Sequence, residues 1–146
     1  MVIKSCRRSN YFREPLPPGP RWKKVNLEVP ILKQGEFLIA TIQAALSDAD
    51  LEHLRMALIQ RVVRFRSRAV IVDVTAMDVM DSFASRTLKE IAQMIRLRGA
   101  ETVIVGIQPE VAFAMVQLGI TLESVVTALD LEEGLVYLSQ KFKNLN

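Results

Sequence analysis

Three features of the 146-residue sequence predict an α/β domain built on one mixed β-sheet. Ala69–Val74 and Thr102–Gly106 are β-branched runs without apolar/polar alternation, the pattern of strands covered on both faces. Segments with 3.6-residue apolar spacing lie between and around them, as crossover helices joining parallel strands require. Ahead of both, Val29–Leu32 and Glu36–Ile42 are separated only by Lys33-Gln34-Gly35, a spacing suited to an antiparallel hairpin.

Taken in order, the chain opens on a polar, basic stretch with Pro15, Pro17, Pro18, Gly19 and Pro20 close together. It has too little apolar surface to order itself, so residues 1–26 are expected to form a flexible arm ahead of a domain spanning 27–143. After the hairpin, Ser47 or Asp48 caps a helix whose apolar stripe is Leu51, Leu54, Leu58, Ile59, Val62 and Val63, ending near Arg66. The Ala69–Val74 strand follows, then a helix over Ser82–Arg98 closed by Gly99. The Thr102–Gly106 strand leads to a helix bracketed by Pro109 and Gly119, Pro suiting a first helical turn and Gly a position just past a helix end. A brief extended segment at Ser124–Thr127 precedes a last helix capped by Asp130 and reaching about Phe142. The predicted order is β-β-α-β-α-β-α-β-α, with about four helices.

Composition excludes several classes of function. Seven of the 19 Lys and Arg residues precede Val25 with only Glu14 opposing them, so the rest of the chain has twelve basic against fifteen acidic residues. The overall charge of +3 therefore belongs to the arm, and the folded part offers no basic stripe for nucleic acid. Cys6 is the single cysteine, which rules out an intrachain disulfide and fits a reducing cytoplasm. Thr102–Ile120 is interrupted by Gln108, Pro109, Glu110 and Gln117 and falls short of the roughly 20 apolar residues a membrane span needs. The sequence calls for no cofactor and contains no metal-ligating cluster, glycine-rich phosphate loop or nucleophile elbow. His53, the lone histidine, lies among charged neighbours within a helix, so an enzyme reading lacks its parts.

Hydroxyls and carboxylates gather instead between Val72 and Phe83, at the end of a central strand, where open α/β sheets meet ligands and partners. Ser82 is placed to cap the following helix, its hydroxyl accepting from a first-turn N–H. A phosphate there would bring about −1.5 to −2 charges to the positive end of the helix. With Asp78 and Asp81 already beside it, such a group would repel a partner fitted to the unmodified loop. Thr75 and Ser85 are lesser candidates: Thr75 caps the strand end and Ser85 turns into the helix.

The runs Val-Ile-Val-Asp-Val-Thr (70–75), Met-Asp-Val-Met-Asp-Ser-Phe (77–83), Arg-Gly-Ala-Glu-Thr-Val-Ile-Val-Gly-Ile-Gln-Pro-Glu-Val-Ala (98–112) and Leu-Gly-Ile (118–120) resemble the STAS (anti-anti-sigma factor antagonist) domains. Within them, the likeness is to the small scaffold proteins of the bacterial stressosome, and it covers Val29 to Gln140. The resemblance implies the STAS fold and a non-enzymatic regulator whose phosphorylated serine is Ser82. The partner-facing switch loop would comprise Asp78, Met80, Asp81 and Phe83. It further implies a serine/threonine switch kinase held by the unphosphorylated protein and released on phosphorylation. A PP2C-type phosphatase would reset the switch, and paralogous STAS sensor proteins would co-assemble with the chain, itself a homo-oligomer, into a large particle. Those paralogues carry a second phosphorylated threonine after the Gly-Ile-x-Pro-Glu turn, whereas Gln108–Gly119 holds no hydroxyl residue here. The basic arm also departs from the pattern. The alternative is a phosphoaspartate receiver using Asp73, but receivers open β-α with an acidic pair that this chain lacks; Asp73 then orders the next loop through Asx-type bonds.

Overall fold

A computed structural model of the chain describes residues 28–123 and 125–143. The expected arm over residues 1–26 lies outside the described residues, as does Ser124. Nine elements follow one another: β1 (Ile31–Gln34), β2 (Phe37–Thr41), α1 (Asp48–Phe65), β3 (Ala69–Asp73), α2 (Ser82–Leu97), β4 (Glu101–Val105), α3 (Pro109–Gln117), β5 (Val126–Ala128) and α4 (Leu131–Lys143). The order matches the expectation, with boundaries moved by at most two residues. The hairpin turn is Gly35-Glu36, rather than Lys33-Gln34-Gly35. Gly35 takes φ +62 at the first central position, where a two-residue hairpin turn favours glycine.

The sheet runs β1-β2-β3-β4-β5, with β1 antiparallel to β2 and the other neighbours parallel. Each strand after β2 is thus added on the same side of its predecessor. Right-handed crossovers then send every connecting helix to one face of the sheet. Accordingly Leu38, Ala40, Val70, Val72 and Ile104 share a buried cluster with Leu54 and Leu58 of α1, Leu88 and Ile91 of α2, and Val111 and Met115 of α3. Alternate residues face the other way: Ile39, Ala69, Ile71, Val103 and Val105 pack against α4 through Leu138. Among the described residues α4, after the last strand, covers that second face, and it does so at close range: a Cβ on Gly134 would stand 2.9 Å from Val105 Cγ1.

Covering both faces explains why β3 and β4 read as unbroken apolar runs. The helix stripes follow period 3.6, with Leu51, Leu54, Leu58 and Val62 buried on α1. Val63, expected on that stripe, is 47% exposed, because the buried face is narrower than the apolar pattern. A capping box opens α1: Ser47 Oγ accepts from Asp50 N (3.1 Å) and Asp50 Oδ2 accepts from Ser47 N (3.0 Å). Asp130 likewise accepts from Glu133 N at 2.8 Å as α4 begins.

Candidate switch site at the carboxyl edge of the sheet

The loops after β3 and β4 leave the sheet side by side and are tied together residue by residue. Val74 N donates to Val105 O (2.9 Å), carrying the ladder one step beyond β3. Asp73 Oδ1 then accepts from Thr75 N (2.9 Å) and from Thr75 Oγ1 (2.5 Å), an Asx-type turn that bends the chain off the strand. Gln108 Nε2 donates to Thr75 O at 2.8 Å and bolts the second loop to the first. Gly106 makes this approach possible. It sits at φ +83, and a Cβ there would fall onto Thr75 Oγ1 and 3.1 Å from Asp73 Oδ1.

The remaining loop is pinned by two methionines. Met77 and Met80 are 3% and 4% exposed and packed in the larger cluster, so the chain between them, Asp78-Val79, is pushed outward. Met80 therefore cannot offer its side chain on the surface, contrary to its expected place among the partner-facing residues. Val79 is 66% exposed instead. Phe83 is half-buried against the same cluster. Asp78, Asp81 and Ser82 are exposed.

The cap of α2 differs from expectation. Asp81, extended at φ −85 and ψ −178, is the N-cap, and its Oδ1 accepts from Ala84 N at 2.8 Å. Ser82 is the first helical residue, and its hydroxyl makes no hydrogen bond among the described residues. Asp and Ser are both strong caps, so local preference could not choose between neighbours; the backbone bend at Asp81 does. The consequence is that Ser82 stands free, held by a helix whose first turn is secured by another side chain. Ser85, by contrast, is 4% exposed, and its Oγ donates to Ser82 O at 3.1 Å, which closes it to modification.

Ser82 also has cationic neighbours. It lines a groove of about 200 Å³ with Ser85, Arg86, Lys89, Gly119, Ile120 and Thr121. Arg86 and Lys89 follow Ser82 by four and seven residues, so they stand above it on one face of α2; that spacing was readable in the sequence. A phosphate on Ser82 would meet a helix N-terminus and two cations on one side and Asp81 on the other. Beside this groove, Asp78 and Glu110 share a separate hollow of about 300 Å³ with Thr75, Met77 and Gln108.

The other candidates fall away. Asp73 is half-buried, engaged with Thr75, and set in a sheet ordered β1 to β5 from an antiparallel edge. A receiver-like doubly wound sheet instead has the order 2-1-3-4-5. His53 is exposed on α1 and lines neither the Ser82 groove nor the hollow beside Thr75. Among the described residues no group of three or more His, Cys, Asp or Glu could hold a metal ion, and no helix is long and apolar enough to cross a membrane.

Comparison with known proteins agrees with this geometry. The RsbT co-antagonist protein RsbRA of Bacillus subtilis (strain 168) is 33% identical over 98 residues; the match takes in 67% of this chain, which spans only about a third (34%) of that relative. A serine-to-glutamate variant of RsbS from Moorella thermoacetica superposes with a TM-score of 0.69 at 30% identity, covering 79% of this chain and 97% of the other. A chain from the structure titled "Molecular architecture of the stressosome, a signal integration and transduction hub" gives 0.62 at 30% identity, covering 80% and 97%. SpoIIAA, an anti-sigma factor antagonist in its unphosphorylated form, shares the fold with a TM-score of 0.58 at 12% identity, covering 77% and 97%. Residues 28–134 match the family described as the STAS domain, and the chain belongs to that family.

Proposed function

We propose that this protein is a non-enzymatic stressosome scaffold that holds a serine/threonine switch kinase and releases it when Ser82 is phosphorylated. A STAS signalling role is the common ground of its relatives, which include stressosome components and an anti-sigma factor antagonist. The single observation that carries the finer reading is the unengaged hydroxyl of Ser82. It is exposed at the first position of α2, beside an acidic, partly apolar loop anchored at the sheet's carboxyl edge by the buried Met77 and Met80. Asp78, Val79 and Asp81 form the recognition surface, with Phe83 supporting it from below; Met80 contributes by filling the core. In this reading a PP2C-type phosphatase restores the hydroxyl, and paralogous STAS sensors and further copies of the chain complete a cytoplasmic assembly.

Kinase capture tests the proposal. Immobilised wild-type protein and Ser82→Ala bind the switch kinase, while Ser82→Asp binds about tenfold or more weakly, since like charges brought together at an interface cost several kcal/mol. Equal binding by all three would remove Ser82 from the switch.

A further inference from the structure

At the opposite end of the sheet, where β3 and β4 begin, α1 and α2 both end against a cleft of about 440 Å³. Val62, Val63, Arg66, Ser67, Arg68, Arg98 and Gly99 line it. Its polar lining is dominated by donors. A guanidinium offers five N–H groups and no acceptor, and three of them stand here. Arg68 is partly engaged, 3.5 Å from Glu36 and stacked 4.4 Å from the centre of the Phe142 ring. Arg66 and Arg98 are exposed and form no ion pair among the described residues. Between them Ser67 is 7% exposed, and its Oγ is buried without a hydrogen-bond partner. A buried orphan hydroxyl is costly and uncommon.

Arginines at helix ends often serve only to complement the last carbonyls. Here the chain itself supplies donors: Val62 O accepts from Arg66 N and Ser67 N, Ile95 O from Arg98 N and Ala100 N, and Arg96 O from Gly99 N. Arg66 also adopts a left-handed backbone, φ 51 and ψ 44, which is unfavourable for a side-chain-bearing residue. Glycine would fit that cap without strain, yet an arginine is found.

We propose that this cleft binds a phosphoryl group of a small phosphorylated molecule. Guanidiniums at the ends of two helices line the cleft together with Ser67, and the three terminal oxygens of a phosphoryl group can engage more of these donors at once than the two of a carboxylate. The volume admits more than phosphate alone and falls in the range of small-ligand sites. The cleft lies beyond the strands' opposite ends from Ser82, so a ligand there leaves the switch loop uncovered.

The test is an amide NMR titration of the full chain with inorganic phosphate, at constant ionic strength, with succinate as the carboxylate comparison. The expected result is saturable shifts at Ser67, Arg68 and Gly99 with phosphate and none that saturate with succinate. In Arg66→Gly/Arg98→Gln the phosphate affinity falls about tenfold or more, as loss of charge-assisted hydrogen bonds implies. Ser67→Ala keeps or raises stability, because it removes an unpaired hydroxyl, but weakens phosphate binding. Shifts that never saturate, equal response to succinate, or unchanged affinity in the double variant would each overturn the proposal.

Discussion

Replacing Asp81 and Ser82 in turn separates the roles of two adjacent residues. Asp81→Ala removes the 2.8 Å bond to Ala84 N and leaves that first-turn donor unpaired within the domain. Loss of an N-cap costs about 0.5 to 2 kcal/mol, typically about 1. A domain of this size has an unfolding entropy that converts about 1 kcal/mol into a fall of about 4 °C in Tm. Ser82→Ala removes a hydroxyl that is exposed and has no partner among the described residues, so its effect stays within about 0.5 kcal/mol, the scale of a neutral surface change. Urea titrations followed by circular dichroism read both values, and equal m-values would show that neither change alters the denatured state. If Ser82→Ala lost 1 kcal/mol and Asp81→Ala nothing, the assignment of the cap would be wrong. Ser82→Ala would then be compromised as a clean test of signalling.

Further consequences follow from particular contacts. Gly106→Ala drives a Cβ onto Thr75 Oγ1 at a backbone φ of +83 and should cost about 2 kcal/mol or more, with amide shifts concentrated at Thr75 and Gln108. Gly134→Ala brings a Cβ to 2.9 Å from Val105 Cγ1, and overpacking of this kind costs about 1 to 3 kcal/mol in a chemical denaturation experiment. Lys141 has its pKa raised, chiefly by its hydrogen bond to Glu101 (3.0 Å). A raised folded-state pKa means that this stabilisation is present below the ordinary lysine value of 10.5 and is lost as pH climbs through the higher folded value. Lys141→Met should therefore flatten the alkaline limb of the stability curve without changing its acid limb. Once Ser82 carries phosphate, the groove cations should depress its second pKa below the usual value of about 6 in a ³¹P titration, and Arg86→Gln/Lys89→Gln should return it upward.

The fold was legible because its signals are periodic and local. Val70–Val74 and Val103–Val105 look buried because they are covered on both faces, and Ser47 with Asp50 spells a capping box three residues apart. The helix faces needed the observed strand order as well: only with it does the right-handed crossover rule send α1, α2 and α3 to one face and leave the other to α4. What escaped the sequence depends on direction at single residues. Asp81 and Ser82 are interchangeable as caps until the extended backbone at Asp81 is known. Met77 and Met80 are residues whose chemistry favours core filling, as found, but they share an irregular loop with Val79, and without periodicity nothing says which neighbour the loop turns outward. The Gln108–Thr75 bond and the Gly106 contact join residues some thirty positions apart, so only the parallel register of β3 and β4 brings them together. The arginine cleft gathers the ends of two helices, which are far apart in sequence and adjacent only once the sheet is built.

The most direct test of the switch is intact-mass and peptide-mapping spectrometry after incubation with ATP and the switch-type kinase from the same genome. A single phosphate is expected, on Ser82, and none on the buried Ser85. No phosphate, or one confined to another residue, would contradict it.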